Sequence, residues 1–182
     1  MIIRKAISKD ALGIAEVHVQ SWKETYKGII SQDFLDGLRI EDRLPLWESN
    51  LNNPNPNAPV YVAEDSNGKI VGFSSFGKER TKNNQLDGEL YAIYLLSEVK
   101  RKKVGSKLLL AGINDMLSQG FESLLVWVLA DNPGRRFYEQ YGSVKETSEL
   151  IQIADVNYEE IAYKWSDLKE LMKEVEQKTK KN

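Results

Sequence analysis

Residues 90–110 read LYAIYLLSEVKRKKVGSKLLL, and this stretch decides the predicted architecture. An apolar segment, Leu90–Leu96, leads into four consecutive cations and then into Val104-Gly105-Ser106. Apolar residues recur from there at helical spacing until Gly120, which suits a helix C-terminus. The sequence therefore predicts a buried strand that turns directly into a helix.

The cations Lys100, Arg101, Lys102 and Lys103 precede a helix N-terminus, where the helix dipole favours anions. A bound polyanion would relieve their repulsion, since free N–H groups point outward there and Gly105 permits close approach. A pyrophosphate fits this description. A solvated basic turn and a nucleic-acid or nuclear-localisation patch are the alternatives. The patterns of a Walker loop and of a dinucleotide-binding fingerprint are absent.

The flanking pattern predicts a mixed α/β sheet with one parallel crossover. A first strand is expected within Met1–Ile7, two helical regions follow it, and a charged helix follows the last strand. Alternation and turn residues indicate the other strands. They are expected at Val60–Glu64, Ile70–Phe76, Leu124–Leu129, Val144–Ile153 and Val156–Trp165.

Composition narrows the chemistry. The chain has 182 residues, a net charge of −2, no cysteine and one histidine, His18. Thiol nucleophiles, thiolate metal sites and His-rich zinc sites are excluded, and we expect no metal. Helical spacing makes His18 a better candidate for the edge of the core than for catalysis. No apolar run is long enough for a membrane span, and Met1–Ile7 has no signal-peptide core, so we expect a cytoplasmic protein.

From Met1 to about Leu168 the order of elements resembles the GCN5-related N-acetyltransferase (GNAT) family. That family carries Gln/Arg-x-x-Gly-x-Gly/Ala at the strand-to-helix turn, where backbone amides bind the pyrophosphate of coenzyme A. Here Lys100 stands in place of Gln or Arg, and Lys103 replaces the first glycine. The resemblance implies a mostly antiparallel sheet of six to seven strands flanked by helices. It also implies acetyl-CoA as co-substrate, with Lys100 to Ser106, Val104 and Gly105 included, as its binding turn.

Two further segments carry the resemblance. Residues 125–142, LVWVLADNPGRRFYEQYG, resemble the family's Asn-x-x-Ala-x-x-Phe-Tyr-x-x-x-Gly. The match implies that Asn132 lies near the pantetheine arm and Tyr138 near the thioester sulfur. A helix cap at Asn132-Pro133 and a core aromatic at Tyr138 are the plain structural alternatives. Residues 21–28, SWKETYKG, resemble a family segment that covers the acceptor pocket. The match implies that this pocket could be lined by Trp22, Tyr26, Phe34 and Trp47. Aromatic residues at this spacing are more often part of the core.

The implied reaction assigns roles. An acceptor amine must lose a proton before it attacks the thioester, and Glu89 lies where the family often holds its base, with Asp87 as the nearby substitute. A strand-edge carboxylate facing solvent is the alternative for Glu89. A backbone N–H in a bulged strand would stabilise the thioester oxygen, and Leu95 is the candidate. Tyr138 would protonate the departing thiolate.

The sequence thus predicts an N-acetyltransferase acting on a small-molecule amine or a peptide or protein amine. The alternatives are a non-catalytic acyl-CoA-binding module and, less consistent with the charge, a nucleic-acid binder; neither nucleic acid nor membrane is an expected partner. Residues 1–166 are expected to form the catalytic domain and residues 167–182 a charged helical tail. That tail could pack on its own chain, pair two subunits into a homodimer, or fray.

Overall fold

Seven strands form one sheet in the computed structural model, which describes residues 1–81 and 86–180. Their bounds match the predicted segments closely. The strands are β1 (Ile2–Lys5), β2 (Val60–Glu64), β3 (Ile70–Lys78), β4 (Gly88–Leu95), β5 (Leu124–Leu129), β6 (Val144–Ile153) and β7 (Val156–Trp165). The helices in the described ranges are α1 (Ala11–Thr25), α2 (Gln32–Asp36), α3 (Ile40–Asn52), α4 (Val104–Ser118), α5 (Arg135–Glu139) and α6 (Leu168–Lys180).

The strand order is β1-β2-β3-β4-β5-β7-β6. Neighbouring strands are antiparallel except β4 and β5, which are parallel and joined through α4. The predicted mostly antiparallel sheet with a single parallel crossover is therefore confirmed. Across the described part of the chain, no helix is long and apolar enough to cross a membrane.

Helices cover both faces of the sheet, as two adjacent residues of β3 illustrate. The Phe73 ring packs edge-on against Trp47 of α3, with 4.9 Å between ring centroids. The next residue, Ser74, donates from its hydroxyl to the carbonyl oxygen of Leu108 in α4. Since successive strand residues point to opposite faces, α1 and α3 lie on one face and α4 on the other.

The sheet opens between β4 and β5. These two strands pair only at Gly88 with Leu124 and at Glu89 with Leu125, whereas β5 pairs with β7 along its whole length. A bulge lies immediately beyond, because the pairing of β4 with β3 skips Tyr91. A bulge bends its strand, so β4 turns away from β5. The facing backbone edges of the two strands are separated past Glu89.

The C-terminal helix α6 belongs to the main core. Asp167 caps it, since its Oδ1 accepts hydrogen bonds from the backbone N–H groups of Lys169 and Glu170. Its apolar residues Leu168, Leu171 and Val175 are buried in the cluster that α4 and the sheet also form. Of the three options for this segment, intramolecular packing holds through residue 180. Residues 181 and 182 of the predicted tail lie outside the described residues.

The helix expected to begin at Asn132-Pro133 begins three residues after Asn132, as the five-residue α5. The Asn132 side chain accepts from the N–H of Gly134 at 2.7 Å, which closes a turn ahead of the helix and not its first turn. The N-cap position falls on Gly134, and no side chain caps the helix. The predicted capping role of Asn132 is therefore wrong.

Candidate active site

The basic turn Lys100–Lys103 has a strained backbone. Arg101 and Lys103 adopt left-handed conformations, with φ of 62° and 60°. For a residue with a Cβ this conformation costs about 1–2 kcal/mol, and such outliers concentrate at ligand-binding turns. Helix α4 begins directly after them at Val104, as predicted. Its free N–H groups therefore lie beside exposed cations.

Lys103 adopts the backbone conformation that a glycine would take most easily. Its side chain donates from Nζ to the carbonyl oxygen of Thr179, at 3.1 Å, in the last turn of α6. The absence of glycine at this position therefore leaves the left-handed geometry in place, while the lysine side chain is directed to the C-terminal helix. A cation at a helix C-terminus also complements the dipole of α6.

Gly105 lets three elements meet at the start of α4. A Cβ at this position would come within 3.2 Å of the Phe137 ring in α5 and 3.4 Å of Leu95 Cδ1 in β4. Ser106 is hydrogen-bonded through its hydroxyl to the hydroxyl of Tyr141, at 2.7 Å. The predicted cofactor turn is thus fixed to the open edge of β4 on one side and to α5 on the other.

The backbone of Leu95 faces the opening between β4 and β5. Leu96 donates its N–H to Val71 of β3, at 3.0 Å. Main-chain groups of successive strand residues point to opposite edges, so the N–H of Leu95 points away from β3. On that side β5 has already diverged, since it pairs with β4 only at Gly88 and Glu89. This amide has the orientation that a thioester oxygen in the opening would need.

Tyr138 of α5 belongs to the main core cluster, which α4, β5 and β7 also form. It is 9 % exposed, and its ring packs against Trp165. Burial raises the pKa of Tyr138 well above its ordinary value, and the nearby hydroxyls of Tyr94 and Tyr26 raise it further. The phenol therefore stays protonated over any working pH range. Asn132 reaches the same group, because its Nδ2 donates to the Tyr26 hydroxyl at 3.1 Å.

Glu89 is buried, at 2 % exposure, and is held by one partner. Arg80 donates to its Oε2 from the backbone N–H at 3.0 Å and from Nε at 3.2 Å, and to its Oε1 from Nη2 at 2.6 Å. The guanidinium also lies over the Tyr91 ring, 4.0 Å from its centroid. The solvent-facing alternative for Glu89 is therefore wrong, because the carboxylate is inside and ion-paired.

Asp87, the substitute base, anchors the start of β4. Burial alone would raise the pKa of Asp87, but hydrogen bonds from Ser123 and from the backbone N–H of Glu122 outweigh it and lower that pKa. The Ser123 N–H and the Glu122 N–H donate at 2.9 and 2.8 Å. The Asp87 carboxylate thus has a structural role in the turn before β5.

Three of the four aromatic residues expected at the acceptor pocket cluster together. Trp22, Tyr26 and Phe34 pack around the end of β5 beside Leu129, with Trp22 and Tyr26 ring centroids 4.8 Å apart. Trp47 is the exception. It is a core residue, 4 % exposed, and it packs against Phe73 on the other part of that sheet face.

His18 also belongs to this aromatic core. The indole N–H of Trp47 donates to His18 Nδ1 at 3.3 Å, and the imidazole stacks on Tyr94 with 5.3 Å between centroids. Burial lowers the pKa of His18 to about 4, and the positive charge of Arg43 contributes to the same shift. The neutral imidazole accepts from Trp47 and has no place in proton transfer at the opening.

Two residues near the opening, Arg80 and Glu160, belong to no recognisable sequence motif. Arg80 follows β3 and is drawn to Glu89 by pairing between β3 and β4. Glu160 lies on β7 directly opposite Leu129 of β5 and opposite Glu149 of β6. Burial raises the pKa of Glu160, and the negative charges of Glu149 and Glu89 act in the same direction. Only strand register reveals these positions.

A surface cavity of about 800 Å³ lies outside this region, between α1, the segment 38–41 and the ends of β3 and β4. None of the predicted catalytic or cofactor-binding residues lines it. Among the residues that the structure describes, no group of three or more His, Asp or Glu is arranged to hold a metal ion. The cavity is therefore separate from the predicted catalytic and cofactor-binding residues.

Comparison with known proteins decides the family. The profile of the acetyltransferase (GNAT) family matches residues 20–142, which include the opening, the basic turn and α5. The chain belongs to the GNAT acetyltransferase family. This GNAT protein is accordingly an acetyl-CoA-dependent transferase, and the resemblance noted from its motifs is confirmed.

Relatives of this GNAT acetyltransferase carry the same activity in their names. It is 39 % identical over 169 residues to the uncharacterized N-acetyltransferase YuaI of Bacillus subtilis. This alignment covers 93 % of this chain and 95 % of the relative. It is 26 % identical to a spermidine N(1)-acetyltransferase of Thermoplasma acidophilum, over 86 % of this chain and 97 % of that protein. A crystal structure of the PaiA N-acetyltransferase from Thermoplasma acidophilum with coenzyme A superposes with a TM-score of 0.67 at 25 % identity, over 90 % of this chain and 98 % of that one.

Proposed function

We propose that this GNAT protein transfers the acetyl group of acetyl-CoA to a primary amine, which attacks the thioester directly. The observation that carries the proposal is the opening between β4 and β5, with the Leu95 amide directed into it and the N-terminus of α4 at its end. A thioester lying in this opening would meet a backbone donor, and its pyrophosphate would meet the helix N-terminus.

In this proposal the protein contacts the cofactor at its phosphates, along its pantetheine arm and at its thioester. The exposed cations Lys100, Arg101 and Lys102 neutralise the phosphate charge, and the N–H groups that start α4 bind the pyrophosphate. Asn132, next to Tyr26, hydrogen-bonds the pantetheine arm. These contacts bring the thioester carbon to the level of the Leu95 amide.

Acetyl transfer then needs a hydrogen-bond donor at the thioester oxygen, a proton donor at the sulfur and a base for the amine. The Leu95 N–H stabilises the oxygen as it gains charge. The Tyr138 hydroxyl, which stays neutral, gives its proton to the departing thiolate and recovers one from solvent afterwards. On the face of the sheet that carries Glu89, the Glu160 carboxylate lies where an incoming ammonium would be attracted.

The acceptor side favours cationic small amines. Glu149 and Glu160 share one face of the sheet, and the aromatic rings of Trp22, Tyr26 and Phe34 lie beside them. A negative, aromatic-walled surface attracts an alkylammonium through charge and cation–π contact. The relationship to a spermidine acetyltransferase makes polyamines the first acceptors to test.

The test is acetyl transfer to a panel of amines. The protein is incubated with acetyl-CoA and, separately, with polyamines, amino-acid amides and short peptides with free N-termini. Free thiol and the mass of each acetylated product are followed. We expect thiol release that depends on the amine and matches product formation one to one. Binding of acetyl-CoA with no transfer to any primary amine would overturn the proposal.

A further inference from the structure

The register of the sheet fixes how far along the opening two β4 residues, Glu89 and Tyr94, lie. This position along the strand direction is called their height below. Glu89 pairs with Gly77 of β3, and Tyr94 pairs with Phe73. Gly77 and Phe73 are four residues apart on β3, and the extra residue of the bulge, Tyr91, lies on β4. Glu89 and Tyr94 therefore point to the same face, because their β3 partners do. At about 3.3 Å per residue, Tyr94 lies roughly 13 Å further along the opening than Glu89.

On the β5 side of the opening, the corresponding residues are also four positions apart. Leu125 of β5 is the last residue that pairs with β4, at Glu89, and Leu129 lies four residues further on. Glu160 of β7 pairs with Leu129. Glu160 therefore lies on the same face as Glu89 and Leu125, at the height of Tyr94 and of the adjacent Leu95 amide.

The two carboxylates thus occupy different ends of one face. Glu89 lies at the closed end, roughly 13 Å below the Leu95 level, a distance that exceeds the reach of a glutamate side chain. Both of its oxygens accept hydrogen bonds from Arg80. Glu160 is half-buried at the open end, and its side chain forms no hydrogen bond or ion pair within residues 1–81 and 86–180.

We propose that Glu160 is the catalytic base, which contacts the acceptor amine and takes the proton that the amine loses. The inference rests on the proposed function, since it names the group that makes the amine nucleophilic. Glu89 then acts from a distance through the electrostatic field and through its ion pair with Arg80.

The step balances in atoms and charge. An acceptor R–NH₃⁺ gives one proton to the Glu160 carboxylate and becomes R–NH₂. The amine lone pair forms the N–C bond at the thioester carbonyl, and the C–S bond breaks. The CoA thiolate leaves and takes the Tyr138 proton, and the nitrogen loses its second proton to solvent, from which Tyr138 is reprotonated. Glu160 releases its proton to solvent, so one proton is released per turnover.

The electrostatic surroundings of Glu160 favour its protonated form and so make it a stronger base. Burial raises the pKa of Glu160 above its ordinary value, the charges of Glu149 and Glu89 raise it further, and Arg80 opposes them weakly. A raised pKa makes the carboxylate a better proton acceptor. The groups that face Glu160 from neighbouring elements are Glu149 of β6, Glu89 and Tyr94 of β4, Arg80 after β3 and Tyr26 after α1.

The experiment compares pH profiles of kcat/KM for the wild type, Glu160→Gln and Glu89→Gln with the best amine of the panel. We expect the wild type to rise with pH through an inflection set by Glu160. Glu160→Gln should lose that inflection and about 10²-fold or more of activity near neutrality, and recover as pH approaches the pKa of the amine at ~10. Glu89→Gln should keep the inflection.

Two variants serve as controls. Glu159 is the next residue of β7, on the opposite face, exposed and paired with Lys145 at 3.7 Å. Glu159→Gln should leave the profile unchanged. Glu149→Gln removes a like charge opposite Glu160, so the inflection should shift to lower pH. This variant and Glu160→Asp, which keeps a carboxylate, make the test possible even where Glu160→Gln folds poorly.

The outcomes separate the two proposals. An active wild type whose inflection survives in Glu160→Gln, or disappears only in Glu89→Gln, overturns the role of Glu160 and leaves the amine acetyltransferase proposal intact. A wild type that acetylates no amine overturns both. Melting curves and calorimetric acetyl-CoA affinity, which should match between wild type and Glu160→Gln, distinguish a lost base from a lost fold.

Discussion

Lys103 at the start of α4 donates from its Nζ to the carbonyl oxygen of Thr179 in the last turn of α6, at 3.1 Å. The hydrogen bond joins the predicted cofactor turn to the C-terminal helix, which lies beyond the part of the chain that the family profile matches. Lys103 also holds a left-handed backbone at φ 60°. Backbone strain and a side-chain tether therefore coexist at one residue.

Substitution of Lys103 by glycine and by alanine separates these two effects. Both variants lose the tether to Thr179, but only alanine keeps the Cβ that makes the left-handed conformation costly. We expect Lys103→Gly to be more stable than Lys103→Ala by about 1 kcal/mol. Urea denaturation of the two variants measures the difference. Equal midpoints would mean that the turn does not impose a left-handed backbone at this position.

Charge reversal in the turn tests the cofactor site. Lys102 is exposed in the turn, and Lys107 is exposed one helical turn into α4, so the pair offers the same change in charge at two places. Lys102→Glu should weaken acetyl-CoA binding about tenfold or more at low salt, with a smaller loss as salt rises, because an exposed charge is screened. Lys107→Glu should have a much smaller effect.

Calorimetry at several salt concentrations measures both variants. Equal affinities for the two would refute the turn as the phosphate site. Gly105→Glu is a poor substitute for this comparison, because any Cβ at that position meets the Phe137 ring at 3.2 Å. A loss of binding in that variant would follow from disturbed packing between α4 and α5 alone.

Local patterns were sufficient for most of the fold. Val60–Glu64, Leu124–Leu129 and Val156–Trp165 are strands with the predicted bounds, because alternation and turn residues are local signals. The start of α4 at Val104 followed from the same kind of signal. The capping prediction at Asn132 failed because its side chain forms a turn with Gly134, a choice that depends on tertiary position.

The site itself was predictable only where a motif marks it. Asn132 and Tyr138 carry a family motif, so they could be named, although their roles stay predictions. Glu160 lies in a correctly predicted strand, but its height in the opening depends on pairing with Leu129, a contact between residues far apart in sequence. The ion pair of Arg80 with Glu89 is hidden for the same reason.

Tyr138→Phe tests the proposed acid. The substitution removes one hydroxyl and leaves the ring packed against Trp165, so stability should change by about 1 kcal/mol or less. We expect single-turnover acetyl transfer to slow by ~10²-fold, since the thiolate is already a fair leaving group. Tyr163→Phe is the control, because it removes a hydroxyl that donates to Glu139 at 2.8 Å. It should lose stability without losing rate, and a wild-type rate in Tyr138→Phe would make Tyr138 a packing residue.

The buried imidazole of His18 makes the stability of the fold sensitive to acid pH. His18 accepts from Trp47 only while its Nδ1 is unprotonated, and burial lowers its pKa from 6.5 to about 4. Because the unfolded chain binds the proton more readily, the free energy of unfolding should fall as pH drops from about 6.5 to about 4 and then become insensitive to His18. The loss is at most about 3.5 kcal/mol, since each pKa unit corresponds to about 1.4 kcal/mol.

Urea denaturation of the wild type and His18→Gln between pH 4 and pH 7.5 measures this effect. Glutamine keeps a side-chain oxygen that can accept from Trp47 and does not titrate, so its profile should be flatter in this window than that of the wild type. The carboxylates titrate alike in both proteins, and their contribution therefore cancels in the difference. Parallel profiles would contradict a neutral, buried imidazole and would assign the acid sensitivity to groups other than His18.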